Sequence, residues 1–136
     1  MYTSSYKCSN LSIFPLTDFV TVFFVLSTID PSHHRRVIQR LSRLLRPGGR
    51  ILFRDYGRYD MTQLRLKTGS AITRNFYARG NGTRVYFFTV DEIRDAFIPS
   101  GLKEEFIHCD NKLAINRKLQ LKMYRVWILA QFVKLD

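Results

Sequence analysis

The densest set of reactive side chains in this sequence is Asp55-Tyr56-Gly57-Arg58-Tyr59-Asp60: two carboxylates, two phenols and a guanidinium around a glycine that permits a tight turn. A carboxylate emerging from an apolar strand can orient or deprotonate a substrate amine, or hold a neighbouring arginine in place. Asp55 is therefore the first candidate for chemistry, with an Asx turn or a helix cap as the bland reading beside it. The other reactive residues form no comparable set. His33-His34 stands in the first turn of an amphipathic helix with no Cys or carboxylate at ligand spacing, so no metal site is expected. His108 and Cys109 fall in a presumed strand, where packing is the default. No Ser-His-Asp or Cys-His set can be ordered, and no Gly-rich strand-to-helix loop of the phosphate-cradling kind occurs. Gly80-Asn81-Gly82 reads as a hairpin turn.

The elements around the cluster follow from periodicity. Phe19 to Ser27 is continuously apolar and rich in Val and Phe, the pattern of a strand buried on both faces of a parallel sheet. Asp30 stands where an N-cap belongs and Pro31 at the first helical position. Val37, Ile38, Leu41, Leu44 and Leu45 then recur at helical spacing, with Arg35, Arg36, Arg40, Arg43 and Arg46 on the other face. Pro47-Gly48-Gly49 stops that helix, and Arg50 to Arg54 is a second short strand running into Asp55. Strand, helix, turn and strand make a βαβ unit, whose ligand side lies beyond the carboxyl ends of the strands. A partly irregular excursion follows over 58–89 and ends in a hairpin, Asn75 to Arg79 against Thr83 to Phe88. Thr89 and Glu92 form a capping box for a helix with Ile93, Ala96 and Phe97 on its apolar face, ended by Pro99-Ser100-Gly101. Strands are expected at Lys103 to Cys109 and Tyr124 to Lys134, joined by a polar, basic connection. Residues 1–17 read as irregular.

Charge is strongly segregated. The formal net charge is +11, and the segment from Pro31 to Tyr86 holds 12 Arg and one Lys against only Asp55 and Asp60, so the whole excess lies there. Arginine presents a planar donor fork that matches phosphate oxygens and stacks on rings. Interleaved with Tyr56, Tyr59, Phe76, Tyr77 and Tyr86, such a stretch suits an RNA-facing surface; a solvated basic face or an acidic protein partner is the alternative.

With 136 residues, 46% hydrophobic and 24% charged, the chain is sized for one compact α/β domain and is not of disordered or collagenous composition. Two cysteines, Cys8 and Cys109, build neither a disulfide framework nor a four-thiolate zinc site, which points to a reducing compartment such as the cytoplasm. The apolar run Phe19 to Leu26 is too short to span a membrane, so no membrane partner is expected.

Three longer runs carry a resemblance. Phe24-Val25-Leu26-Ser27, Leu41 to Gly49 (LSRLLRPGG) and Phe53 to Met61 (FRDYGRYDM), continued by Gln63-Leu64-Arg65, Asn75-Phe76-Tyr77, Arg79 to Phe88 (RGNGTRVYFF) and Met123 to Trp127, resemble the eukaryotic methyltransferase-like proteins that make 3-methylcytidine in the tRNA anticodon loop. The resemblance implies an α/β fold corresponding to the C-terminal half of a Rossmann-like class I S-adenosylmethionine-dependent methyltransferase sheet, with a basic hairpin insertion. It makes residues 18–136 a partial methyltransferase domain after the segment 1–17, and it implies S-adenosylmethionine as cofactor, with the Gly-rich half of its site outside this sequence. Of that site Phe23, Phe24 and Ser27 would remain. Asp55 and Tyr56 would be catalytic and face a flipped cytosine. Arg58, Arg65, Arg79 and Arg84 would contact tRNA phosphates, and Phe76 or Tyr86 would stack. The partner is tRNA, with room for an accessory tRNA-binding protein. A catalytically inactive RNA- or partner-binding fragment is the alternative.

Overall fold

The computed structural model describes residues 16–66 and 68–136. The segment expected to be irregular therefore lies, up to residue 15, outside the described residues, as does Cys8.

The first strand, β1 (Thr17–Phe23), stops four residues earlier than its apolar run suggests. Phe24 turns the chain with a φ of 54°, and Leu26–Thr28 closes into a 3-10 turn. Asp30 caps as expected, but its carboxylate accepts from the Ser32 N–H of a separate 3-10 turn, Pro31–His33, which leads into α1 (His34–Leu44). Strand β2 (Leu45–Tyr56) begins two residues ahead of the expected Pro-Gly-Gly stop, takes that run into the strand, and runs parallel to β1, Phe19 opposite Arg50 and Phe23 opposite Arg54. This is the predicted βαβ unit.

A short helix, α2 (Met61–Arg65), opens the excursion, and three three-residue strands, β3 (Ala71–Thr73), β4 (Phe76–Ala78) and β5 (Arg84–Tyr86), form a small antiparallel sheet. The predicted hairpin is the β4–β5 pair, with Phe76 opposite Tyr86. Next comes α3 (Val90–Phe97), with the expected reciprocal capping box between Thr89 and Glu92. Thr89→Ala should cost about 1 kcal/mol in urea denaturation, because the Glu92 N–H at the helix start loses its acceptor.

The chain ends in one long hairpin, β6 (Leu102–Asn116) and β7 (Leu121–Lys134). The basic connection expected near residues 110–123 is mostly strand: antiparallel pairing satisfies the backbone while both faces stay wet, so no apolar pattern announces it. The main sheet is ordered β1-β2-β7-β6, with β7 antiparallel between β2 and β6.

One face of this sheet carries α1 and α3 over Ile38, Ile51, Phe53, Ile93, Phe97, Ile128 and Phe132, all buried. Phe97 stacks on Phe132 at 4.4 Å, and Phe53 meets Phe97 edge-on. The alternation of β2 sends Ile51, Phe53 and Asp55 inward and Leu52, Arg54 and Tyr56 to the other face. The expectation that β1 is buried on both faces is corrected: Phe19 and Phe23 are 58% and 48% exposed, and its outer edge has no strand beside it among the described residues. No helix among the described residues is long and apolar enough to cross a membrane.

Candidate active site

Because β1 and β2 run parallel, their carboxyl ends lie at the same edge of the sheet, and one carboxylate joins them. Asp55 is fully buried; its Oδ2 accepts from the Ser27 N–H at 2.9 Å and its Oδ1 from the Tyr56 N–H at 2.9 Å. Burial raises its pKa to about 6 against the pull of these hydrogen bonds and of the nearby Arg79 charge. The Phe24 N–H donates to the Arg54 carbonyl at 2.8 Å, fastening the other side of the same bend. Gly57 closes β2: its N–H donates to the Val126 carbonyl at 2.7 Å, and a Cβ there would lie 2.6 Å from Val126 Cγ1.

Phe24, Ser27, Asp55, Tyr56 and Arg79 are thus brought together as the sequence suggests. The Ser27 hydroxyl is buried without a partner. At the same edge, on the opposite face of the sheet from Asp55, stands a wall of rings and guanidinium groups around Tyr56. Phe24 lies 5.1 Å from Tyr56 and 5.9 Å from Trp127. Arg79 sits 5.3 Å over Tyr56, Arg54 4.4 Å over Trp127, and Arg125 between the two rings at 5.6 and 5.5 Å. No spacing signal points to Trp127, Arg54 or Arg125 as parts of this site. The β2–β7 register, which sets Tyr56 opposite Trp127, is what places them.

Asp60 is a second buried hub. Its Oδ1 caps α2 through the Thr62 N–H, and its Oδ2 accepts from Arg125 Nε at 3.0 Å and the Val126 N–H at 2.8 Å. Gln63, also buried, accepts from the Tyr59 N–H and donates to Asn75, tying α2 to the small sheet.

The arginine-rich segment does not form one face. Arg46 pairs with Asp18 and Arg50 with Glu105 at the far end of the sheet, while α1 keeps Arg36, Arg40 and Arg43 on its own exposed side. Neighbours in sequence are sent apart because helix and strand aim successive side chains in different directions.

Three expected RNA contacts are corrected. Arg58 is a strut: its Nη2 donates to Glu92 at 2.8 Å, to the Phe87 carbonyl at 2.9 Å and to the Tyr86 hydroxyl, with the side chain only 17% exposed. The Tyr86 hydroxyl donates to Glu92 at 3.0 Å, and its ring packs on Phe88 and His34, so it is not a free stacking surface. Phe76 has no exposed surface and lies in the core of the small sheet. Arg65 and Arg84 are exposed, and Arg79 is partly so.

A family profile described as "Methyltransferase domain" matches residues 8–104. The tRNA N(3)-cytidine methyltransferase METTL2 of Xenopus tropicalis is 55% identical over 117 residues, covering 86% of this chain and 35% of that protein. The tRNA(Thr) (cytosine(32)-N(3))-methyltransferase of Saccharomyces cerevisiae is 45% identical over 115 residues, covering 85% of this chain and 18% of that protein. This chain spans about a third of the length of the METTL2 relatives. Among solved structures, a SAM-dependent methyltransferase from Methanosarcina mazei superposes with a TM-score of 0.65 at 17% identity, covering 87% of this chain and 59% of that one. That likeness shows a shared fold.

Proposed function

The chain belongs to the methyltransferase domain family, and from that premise we propose that it carries the acceptor end of a tRNA N3-cytidine methyltransferase, in a partial domain over residues 18–136. The observation that supports this most is the buried Asp55 carboxylate joining the carboxyl ends of β1 and β2 at the edge where Tyr56 carries an aromatic and cationic wall on the other face. At such an edge an open α/β sheet binds its ligands.

The orphaned Ser27 hydroxyl, with Phe24 turned by its positive φ and Phe23 exposed beside it, fits one wall of an S-adenosylmethionine site. When bound, that cofactor supplies an electrophilic methyl group on a sulfonium. The N3 lone pair of cytosine is neutral at pH 7 and needs no base to attack, so alignment is the main task. Positive charge arrives on the base ring as the methyl is received. Asp55, ionised above about pH 6, supplies a compensating negative field. Tyr56 offers the ring against which a flipped base is held, and Arg79 stiffens that ring from above. Arg65, Arg79 and Arg84 are the phosphate contacts.

This reading puts the reaction in a reducing compartment, the cytoplasm. Delivery of tRNA by an accessory tRNA-binding protein belongs to the same proposal.

Two measurements test it. Incubation with methyl-labelled S-adenosylmethionine and a tRNA transcript should yield 3-methylcytidine on nucleoside analysis. Calorimetry with millimolar donor that gives no heat, while RNA binding persists, would leave the non-catalytic RNA-binding alternative instead. With three phosphate contacts, RNA affinity should fall roughly 20- to 40-fold between 50 and 200 mM salt; a flat response would contradict the RNA surface.

A further inference from the structure

Among the described residues, ion pairs engage five of the arginines, and the two that stand at the candidate active site are not among them. Arg46, Arg50, Arg58, Arg94 and Arg125 each have a carboxylate, and Lys112 has Asp110. No carboxylate lies within ion-pair distance of Arg54 or Arg79 among the described residues, although both stand at the candidate active site. The Nε atoms of both are buried without an acceptor, and so is the indole N–H of Trp127. Buried donors are almost always paired, because a desolvated N–H that faces no acceptor is costly. Here three such donors surround Phe24 and Tyr56.

Their orientation is held without being neutralised. Arg54 lies 4.4 Å over the Trp127 ring and 5.8 Å from Phe24, and Arg79 lies 5.3 Å over Tyr56. Stacking of this kind fixes the guanidinium plane while leaving its hydrogen-bonding edge free. The neighbouring charges are already matched: Arg125 by Asp60 and Lys112 by Asp110. Both oxygens of Asp55, whose charge Arg79 feels, accept backbone N–H groups. Two like charges with spare donors, stacked on the neighbouring rings of Trp127 and Tyr56, call for an anion with several acceptor oxygens.

We propose that Arg54, Arg79 and the Trp127 indole form a phosphate subsite that takes the phosphodiester beside the acceptor cytidine. The proposal rests on the RNA-methylation reading above. It makes Arg54 and Trp127 positioning residues: they hold the nucleotide by its backbone while Tyr56 holds the base.

Trp127 is the single tryptophan of the chain, so its fluorescence reads the subsite directly. The full chain is titrated with cytidine 5′-monophosphate, cytidine, and sodium acetate as a bare carboxylate. Cytidine 5′-monophosphate should change Trp127 emission saturably, with a half-saturation at least about tenfold below that of cytidine. Arg54→Gln and Arg79→Gln should each raise the monophosphate value about tenfold, and should raise the cytidine value several-fold less. Arg54→Lys, which keeps charge but loses the fork, should fall between. Arg40→Gln, on the exposed side of α1, should behave as the parent, and circular dichroism checks that each variant is folded. If Arg54→Gln unfolds, Arg79→Gln reads the same subsite. Equal half-saturation for monophosphate and nucleoside, both glutamine variants within twofold of the parent, or acetate acting as strongly as the monophosphate would each overturn the subsite. Monophosphate preference without methyl transfer would sustain the subsite and sink the functional reading; transfer without that preference would do the reverse.

Discussion

Asp55→Asn is expected to lower methyl transfer by about two to three orders of magnitude and to change how stability depends on pH. The carboxylate has two tasks. Structurally it accepts from Ser27 N–H and Tyr56 N–H, so it sets the distance between the ends of β1 and β2. An amide has one acceptor oxygen, and its NH2 would face one of those N–H groups, a mismatch costing about 1–3 kcal/mol. Chemically, the amide has no charge to balance the cationic ring formed on methylation. The pH signature separates the two tasks. Burial raises the Asp55 pKa from 3.8 to about 6, so the folded protein holds this proton more tightly than the unfolded chain does. The stabilisation is therefore complete below pH 3.8 and is lost as pH rises through 6, a change of about 3 kcal/mol. Urea denaturation of both proteins at pH 4 and pH 7 should show that loss in the parent and not in Asp55→Asn. Parallel stability profiles would mean that Asp55 is not a buried titrating carboxylate. Transfer itself should rise with pH through about 6 in the parent as the carboxylate ionises.

Asp60→Ala should be the more destabilising change, by about 3–5 kcal/mol. The removed carboxylate is fully buried and serves three groups at once: the α2 N-terminus, the Arg125 guanidinium and the Val126 N–H. Without it Arg125, whose side chain is only 18% exposed, keeps a desolvated charge with no counter-ion. Arg125 also lies over Tyr56 and Trp127, so its release should alter Trp127 emission in the folded state. Asp60→Asn keeps an acceptor oxygen and should cost less, about 1–2 kcal/mol. A loss under 1 kcal/mol for Asp60→Ala, with unchanged fluorescence, would show that the pair is dispensable.

Asp60 also marks the limit of reading by spacing. Its cap on α2 spans two residues, whereas its bond to Arg125 spans 65 positions of chain. The capping box at Thr89–Glu92 and the Asp30 cap were legible because partner and donor lie within one helical turn. Arg58 reads as a phosphate ligand when it is taken only as one cation in a basic run. Once Glu92, Tyr86 and Phe87 stand around it, its hydrogen bonds point inward. Phe76 reads as an aromatic beside arginines, and only the β4–β5 pairing reveals that it faces a core.

From its own residues the chain determines the βαβ unit, the small hairpin, the helix caps and the bend at Asp55, since these depend on periodicity and on contacts between near neighbours. The Phe53–Met61 run likewise carries its family likeness in the order of its residues. Tertiary structure alone decides that β7 enters between β2 and β6, that Trp127 arrives opposite Tyr56, and which arginines find a carboxylate. Strand order and charge pairing join segments far apart in the chain, and the pattern of either segment by itself is compatible with several partners; only burial against the common core selects one.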